Sequence, residues 1–481
     1  MYFKNDIPEN HGISSKAILD FLEESEADKD INLTNFAILS DTYILGQFCK
    51  KPYEISCRQL LFSLTKSFTS IGIGIAIDKG YLNLNDKVMS FFPKKLPEVI
   101  SENLKKLSIR HLLTMTTGIH DNTYGILYAQ KDWVKAFLAQ EFPHEPGTYY
   151  RYSTHSSHML SAIIEKTTGE SLLEFLNKHL FEPLGISKPQ WETCPMGIIA
   201  GGMGLSITTE DIAKFGILLL NKGKYFGKCI ISEEYVNLAT SAQVSKQNVF
   251  DDINTKKYSG HQYGYQFHIG LNGGYRADGA FGQICFISPK EKMVIVATSR
   301  NSNTERLLQL IYKYFLTNNQ KYKSFNKLIY NNLQKKLSAM EYHVPTFIDN
   351  IKGVPQLNNS CYKIGENPNG IDQIIFNQNG FELNCSIIYH NKECNNLRFN
   401  FNYPIHDKAI FVKDIQTHEQ IYISYASWEN STILALNLIY IETPYVVTYR
   451  VSFITDMIKI EFSMNVSLNL KNYIAWGKIC L

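Results

Sequence analysis

The sequence predicts an α+β protein of two domains, a mixed N-terminal domain and an all-β C-terminal domain. Strand-like runs at 33–49 and 275–299 enclose a long region of helical patterns and Pro/Gly loops. After about residue 345 the chain changes to short alternating runs split by Asn, Gly and Asp. With 481 residues, the chain is also too long for one ordinary domain.

The composition excludes several classes of protein. Apolar residues make up 44% of the chain and charged residues 19%, which indicates a folded globular protein. The formal charge of +3 provides no electrostatic footprint for nucleic acid. No run approaches the roughly 18 apolar residues needed to cross a bilayer. We therefore expect neither nucleic acid nor a membrane as a partner.

The N-terminus and the cysteines both favour a cytoplasmic protein. Asp6, Glu9 and Asn10 interrupt the apolar core that a secretory signal needs. Residues 14–26 instead show the pattern of an amphipathic helix. Nine scattered cysteines form no CxxC pair or Cys/His cluster, so we expect reduced thiols and no zinc site.

The elements of the N-terminal domain follow from local patterns. Residues 33–49 predict two strands joined near Ser40–Asp41, and 63–80 predict a buried helix that Gly80 ends. Residues 85–205 alternate helical patterns with Pro/Gly loops, and 208–220 predict a further helix that opens at a capping pattern. The runs QICFIS and KMVIVATS predict a hairpin, followed by a helix at 307–316.

The C-terminal domain is predicted from eight alternating runs, which indicate an antiparallel barrel or sandwich. The predicted boundaries are 1–320 for the first domain, 321–344 for a polar helical connector and 345–481 for the second domain. The runs are IDQIIFN, FELNCSIIY, LRFNFNY, KAIFVKD, QIYISYASW, TILALNLIY, YVVTYRVSF and MIKIEFSM. Aromatic residues such as Trp428, Tyr440 and Tyr445 could fill the core of this domain or line a ligand cavity.

The first chemical motif is Ser63-Leu64-Thr65-Lys66, an S-x-x-K box at the start of the buried helix. Helical spacing places positions i and i+3 on one face, so the Lys66 amine would lie beside the Ser63 hydroxyl. A desolvated lysine can take the proton of a serine nucleophile. The same box recurs at Ser324 and Ser360, but only Ser63 begins an apolar helix. Ser324 lies in the polar connector, and Ser360 is predicted to lie in a loop.

Two further segments contain candidate site residues. Tyr152 follows a Pro-Gly turn and could accept a proton if a nearby lysine cation lowered its pKa, although most tyrosines fill cores. The glycine-rich segment 275–283 could offer a backbone N–H as part of an oxyanion hole, or could simply be a bent hairpin. His155 and His158 could touch a leaving group or be satisfied helix histidines, and a metal role for them is less expected.

These three segments, in this order, resemble the serine β-lactamase-like hydrolases, the group of class C β-lactamases, D-Ala-D-Ala carboxypeptidases and esterases. Further matching segments are HLLTMTTGI, EPGTYYRYS, GGMGLSITTEDIAKFGILLLNKGKYFGK and FISPKEKMVIVATS. The resemblance covers about residues 10–318 and leaves the C-terminal region outside. It implies a mainly antiparallel sheet between helices, with a helical lobe inserted in the middle.

The resemblance also implies roles for individual residues and no cofactor. Ser63 would be the acylated nucleophile, Lys66 would share its proton, and Tyr152 would act as general base and acid. The N–H groups of Ser63 and Ala280 would form the oxyanion hole. Thr154, Asp278 and Gly279 would line the substrate side.

Two departures from the family pattern bear on the substrate. The third box, usually Lys-Thr-Gly or His-x-Gly, reads Ala277-Asp278-Gly279 here, with a register uncertain by a residue or two. The cation that would hold a substrate carboxylate is missing unless Arg276 replaces it. The middle box ends in Thr154 rather than Asn, which keeps an oxygen but loses an amide donor.

These departures favour a hydrolase of esters or amides that acts through an acyl-serine. Two alternatives stay open. One is a catalytically inactive binding or regulatory protein, and the other is a β-lactamase or D-Ala-D-Ala peptidase. A small ester or amide is the expected partner, and the sequence leaves the oligomeric state open.

Overall fold

The computed structural model describes residues 3–246, 257–316, 324–341 and 352–480. Contacts divide the chain into two compact units, residues 1–50 with 55–340 and residues 51–54 with 341–481. None of the helices in the described ranges has the length and apolar character to cross a bilayer.

The first unit contains fourteen strands and fourteen α-helices among its described residues. The strands are β1 (Lys4–Asn5), β2 (Leu33–Ser40), β3 (Tyr43–Cys49), β4 (Gln59–Leu60), β5 (Gln190–Trp191), β6 (Leu205–Ile207), β7 (Lys224–Tyr225), β8 (Lys228–Cys229), β9 (Val244–Ser245), β10 (Gln262–Tyr263), β11 (His268–Ile269), β12 (Tyr275–Gly279), β13 (Gln283–Ser288) and β14 (Met293–Ser299). The helices are α1 (Ser15–Ala27), α2 (Thr65–Asp78), α3 (Val88–Phe91), α4 (Glu102–Lys106), α5 (Ile109–Leu113), α6 (Tyr124–Tyr128), α7 (Trp133–Leu138), α8 (Thr154–Thr168), α9 (Leu172–Leu176), α10 (Glu182–Leu184), α11 (Thr209–Leu220), α12 (Glu233–Ala239), α13 (Thr304–Phe315) and α14 (Lys327–Ser338).

The main sheet of this unit has nine strands in the order β1-β3-β2-β14-β13-β12-β11-β10-β9. All neighbours are antiparallel except β1 and β3. Side chains alternate across the sheet, so its two faces pack against different helices. Cys285 and Ile287 join the core around α2 and α11, whereas Ile284 and Phe286 join the core around α1 and α13. The predicted fold of a mainly antiparallel sheet between helices is confirmed.

Helix α2 lies in the middle of the first core. Residues 65–76 are all buried, which is why its sequence shows almost no polar face. The helix begins after a 3-10 turn at Phe62–Leu64 rather than directly at Ser63. Gly80 follows the helix with φ of 77°, a conformation that glycine adopts without steric cost.

Helix α14 corresponds to part of the predicted connector. Residues 321–323 and 342–344 of that connector lie outside the described residues. The helix is not polar on all sides, because Leu333, Leu337 and the following Met340 pack in the core shared with α1 and α13. The many Lys and Asn residues of this stretch made the helix look polar, so its apolar face was not predicted.

The second unit is one antiparallel sheet of ten strands, which curls into a nearly closed barrel. Its order is β18-β17-β16-β15-β24-β23-β22-β21-β20-β19. The edge strands β18 and β19 approach each other, and the Asn395 amide donates to the Ile410 carbonyl at 3.1 Å. The strands are β15 (Ser360–Ile364), β16 (Ile371–Asn379), β17 (Glu382–Tyr389), β18 (Cys394–Asn400), β19 (Ile405–Val412), β20 (Thr417–Trp428), β21 (Ile433–Tyr440), β22 (Val446–Ile454), β23 (Met457–Met464) and β24 (Tyr473–Ile479).

The predicted barrel-like domain is confirmed, but the count of eight strands is too low. The two additional strands are β15 and β24, which pair with each other. Only two residues of β24, Ala475 and Gly477, are buried, so its sequence has little alternation to detect. Ser360 therefore lies in a strand and not in the predicted loop.

Candidate active site

The candidate nucleophile, Ser63, lies in the 3-10 turn that leads into α2. The preceding Phe62 has a φ of 48°, an unusual conformation for a bulky residue, and its ring meets Phe281 edge to face at 5.3 Å. Backbone conformations of this kind persist only where packing holds them, and they are common at functional sites. Ser63 itself is partly exposed between buried neighbours.

Lys66 points back to Ser63 from the first turn of α2. Its Nζ lies 3.0 Å from Ser63 Oγ, 3.2 Å from Thr154 Oγ1 and 2.7 Å from the carbonyl oxygen of Gly202. Only 1% of the lysine is exposed. Three oxygens therefore surround the three donors of an ammonium group, and one of them is the candidate nucleophile.

Tyr152 completes the group around Ser63. Its ring centroid is 4.9 Å from Lys66 Nζ. Burial raises the pKa of Tyr152 well above its ordinary value and outweighs the hydrogen bond with Ser63, which lowers the pKa. From the sequence, a lysine cation was expected to lower this pKa. That expectation is wrong in direction, because desolvation of the phenolate dominates, and Tyr152 is neutral at neutral pH.

Thr154 and Gly202 come together through a close backbone approach. A Cβ atom on Gly202 would lie 2.6 Å from the carbonyl oxygen of Thr154. The absence of a side chain lets the Gly202 carbonyl reach Lys66 next to the start of α8. The two glycines at 201–202 belong to a segment that matches the family, but no local pattern predicts the contact of Gly202 with Lys66.

The third segment lies against the turn that contains Ser63. A Cβ atom on Gly279, the last residue of β12, would lie 2.0 Å from the carbonyl oxygen of Leu61. Ala280 follows directly and starts a 3-10 turn at 280–282. The structure thus brings Gly279 beside the turn that holds Ser63, with Ala280 as the next residue along the chain.

Asp278 is held by two partners within the sheet. His268 Nε2 lies 3.1 Å from one carboxylate oxygen, and Arg276 Nε donates to the other at 2.7 Å. Burial alone would raise the pKa of Asp278, but His268 and Arg276 hold it well below its usual range. Burial lowers the pKa of His268 to about 4, despite the neighbouring carboxylate. At neutral pH, Asp278 is an anion and His268 a neutral hydrogen-bond donor.

A buried lysine extends this arrangement. Lys246 Nζ lies 3.3 Å from His268 Nδ1, so His268 accepts there and donates from Nε2 to Asp278. Arg276 also donates to the Ser259 carbonyl at 3.0 Å and is only 2% exposed. Arg276 therefore does not replace the missing carboxylate-binding cation. Sequence reasoning missed Lys246 and His268, because no local motif marks either residue.

His155 and His158 lie on the buried face of α8 against Trp133, with ring centroids 5.2 and 5.0 Å from it. His155 Nε2 has no hydrogen-bond partner among the described residues, whereas His158 has the backbone of Ile199 as a hydrogen-bonding neighbour. Both are core histidines. In the described ranges, no group of three or more His, Cys, Asp or Glu side chains could hold a metal ion.

A central antiparallel sheet between helical layers, with a Ser-x-x-Lys turn beside strand β12, is the architecture of β-lactamase-like proteins. The family model described as Beta-lactamase matches residues 50–314, more than half of the chain. The chain therefore belongs to the beta-lactamase family.

Individual relatives match shorter stretches. The chain is 30% identical over 150 residues to penicillin-binding protein 4* of Bacillus subtilis (strain 168). That match covers 29% of this chain and 32% of the other protein. It is 22% identical over 285 residues to the 6-aminohexanoate-dimer hydrolase of Paenarthrobacter ureafaciens. That match covers 55% of this chain and 71% of the hydrolase. The chain thus spans only about a third of the length of the first relative.

Solved structures show likeness of fold. The octameric penicillin-binding protein homologue from Pyrococcus abyssi matches with a TM-score of 0.50 at 15% identity, covering 97% of this chain and all of that one. EstCE1, a hydrolase with promiscuous acyltransferase activity, matches with a TM-score of 0.53 at 17% identity, covering 62% of this chain and 99% of that one.

Proposed function

We propose that this protein is a serine hydrolase that cleaves an ester or amide bond through an acyl intermediate on Ser63. The observation that carries the proposal is the 3.0 Å contact between the buried Lys66 Nζ and Ser63 Oγ. A serine hydroxyl becomes a nucleophile when a neighbour takes its proton, and this contact supplies that neighbour. Membership of the beta-lactamase family supports the same reading.

The proposed reaction has two steps that balance. Once the Lys66–Tyr152 pair has lost one proton to solvent, Ser63 Oγ attacks the carbonyl carbon while its proton passes to the pair, and the pair then protonates the departing alcohol or amine. Water attacks the acyl-serine in the second step, releases the acid and restores the Ser63 hydroxyl. The N–H groups of Ser63 and Ala280 stabilise the oxyanion in both steps.

We further infer that the substrate carries no carboxylate next to strand β12. In the register given above, the cation of the family pattern corresponds to Ala277, and the next residue, Asp278, is an anion paired with the buried Arg276. A carboxylate there would meet the like charge of Asp278, and Arg276 is already paired with that residue. This favours neutral esters and amides over β-lactams and D-Ala-D-Ala peptides, both of which carry such a carboxylate.

The test is intact-protein mass spectrometry after incubation with a fluorophosphonate, followed by peptide mapping. We expect one adduct on Ser63, which is lost in Ser63→Ala and strongly slowed in Lys66→Ala and Tyr152→Phe. The chain supplies matched controls, since Ser324→Ala and Ser360→Ala alter the other two S-x-x-K boxes and should label normally. Absence of any adduct, where a known serine hydrolase reacts, would support an inactive binding or regulatory protein instead.

A further inference from the structure

The barrel of the second unit has one end that is filled by aromatic rings. Tyr362, Phe376, Trp428 and Phe453 are buried there, and the Phe453 centroid lies 5.7–6.2 Å from the centroids of the other three. Trp428 and Phe453 stand at or near the ends of β20 and β22. Rings at such distances form packed aromatic contacts, so this end is core.

The opposite end holds a cavity of about 700 Å³. The turns that precede β16, β18 and β20 surround it, together with the inner faces of β19 and β22. Its wall includes the aromatic side chains of Tyr389, Phe411 and Tyr449, and its rim includes Asn369, Asn391 and Thr417. A volume between about 300 and 1,000 Å³, with an apolar wall and a few polar groups, is typical of small-molecule sites.

The wall of this cavity offers ring faces and a hydroxyl. Phe411 stacks on Tyr440 at a centroid distance of 4.5 Å and an interplanar angle of 10°. Tyr449 is 7% exposed, and its hydroxyl forms no hydrogen bond with any described residue. A buried tyrosine hydroxyl usually has a partner. Because Tyr449 lines the cavity, a bound molecule can supply that partner.

The ionised groups beside the cavity are already paired or lie at its exposed rim. Asp372 contacts Lys363 and lies 3.2 Å from His390 Nδ1. Glu393 lines the opening but is exposed to solvent. Tyr449 has phenols as neighbours. Burial raises the pKa of Tyr449, and the nearby Tyr389, Tyr440 and Tyr473 raise it further. The interior is therefore uncharged, and it disfavours an ion.

We propose that this cavity binds an uncharged, mainly apolar small molecule with a carbonyl acceptor, such as a ketone, ester or amide. Its apolar body would lie against Phe411 and the other rings of the wall. Its carbonyl oxygen would accept a hydrogen bond from the Tyr449 hydroxyl. This binding function is separate from the chemistry at Ser63 and does not depend on it.

The test is a fluorescence titration of the full-length protein with 6-propionyl-2-(dimethylamino)naphthalene, an uncharged naphthalene with one ketone. We expect saturable one-site binding with a shifted emission. Tyr449→Phe keeps the ring and removes the donor, and should weaken binding about fivefold, the effect of one neutral hydrogen bond. Thr417→Trp places an indole at the exposed rim and should abolish binding.

Two controls separate this site from other binding. Tyr362→Phe removes a buried hydroxyl at the aromatic end of the same barrel and should leave the affinity unchanged. Ser63→Trp blocks the other candidate site and should also leave the affinity unchanged. The proposal is overturned if the unmodified protein shows no saturable binding. It is also overturned if Tyr449→Phe and Thr417→Trp both bind with the affinity of the unmodified protein, or if binding is lost in Ser63→Trp alone. Circular dichroism of each variant ensures that only folded proteins are compared.

Discussion

The carboxylate of Asp278 lies 2.7 Å from the guanidinium Nε of Arg276, so an ion pair fills the segment where related proteins carry a single cation. Arg276 is almost fully buried, and the side chain of Asp278 is 18% exposed. The anion therefore faces outward and the cation inward. Under the proposed function, this orientation places a negative charge on the substrate side of β12.

Asp278 should discriminate against substrates with a carboxylate. We expect p-nitrophenyl butyrate to be cleaved with a kcat/KM at least about tenfold above that of mono-p-nitrophenyl succinate, since like charges repel by about 1–2 kcal/mol at a partly exposed site. Asp278→Asn should remove most of this preference. Asp132→Asn, which removes a carboxylate from the ion pair with Lys95, should retain it. An unchanged preference in Asp278→Asn would contradict the prediction.

The labelling rate of Ser63 should rise with pH. Burial holds Tyr152 neutral, and three acceptors surround the Lys66 ammonium group. The resting Lys66–Tyr152 pair is therefore fully protonated and cannot accept the proton of Ser63. Loss of that proton activates the pair, so the rate should increase about tenfold per pH unit below the apparent pKa of the pair. Fluorophosphonate labelling between pH 6 and 9 measures this. A flat profile, corrected for reagent hydrolysis with Ser63→Ala, would argue against the pair as the base.

Gly279→Ala should damage the site through sterics alone. The new Cβ would lie 2.0 Å from the Leu61 carbonyl oxygen, so β12 must move away from the turn that holds Ser63. Displacement of one oxyanion donor costs roughly 10²–10³ in rate, and we expect labelling to slow by about that factor. Gly125→Ala is the matched control, because a Cβ there has no atom within 4 Å. Normal labelling of folded Gly279→Ala would exclude this role for the β12 segment.

Acid should destabilise the protein between pH 6.5 and pH 4. Burial lowers the pKa of His155 to about 4 and that of His158 to about 3, whereas an unfolded histidine titrates near 6.5. In this window the unfolded chain binds more protons than the folded one, so the free energy of unfolding falls as the pH falls.

The expected slope is up to about 1.4 kcal/mol per pH unit for each of the two histidines. Urea unfolding at pH 7.5, 6.0 and 5.0 gives the slope. His158→Gln removes one titrating group and should make the slope shallower, even if it changes the stability at pH 7.5. Equal stability of the unmodified protein at pH 7.5 and 5.0 would refute the prediction.

Local patterns were sufficient for much of the architecture. The run from Leu33 to Cys49 predicted β2 and β3, and the run from Gln283 to Ser299 predicted β13 and β14, because strand alternation and turn residues are encoded within a few positions. The S-x-x-K spacing likewise predicted that Lys66 would approach Ser63, since one helical turn sets that distance. Strand β24 escaped notice because most of its residues are exposed, although it pairs with the preceding strand β23 as well as with β15.

What the sequence determined by itself is therefore what neighbours in the chain determine: the α+β class, the all-β second region and the pairing of Ser63 with Lys66. Only the tertiary structure decided how the remaining groups meet. Gly202 approaches Lys66 across 136 positions of chain, and His268 turns its ring between Lys246 and Asp278. The electrostatic character of the site follows from those contacts. Burial raises the pKa of Tyr152 and removes Arg276 from solvent, and burial is a property of the packed protein rather than of any local pattern.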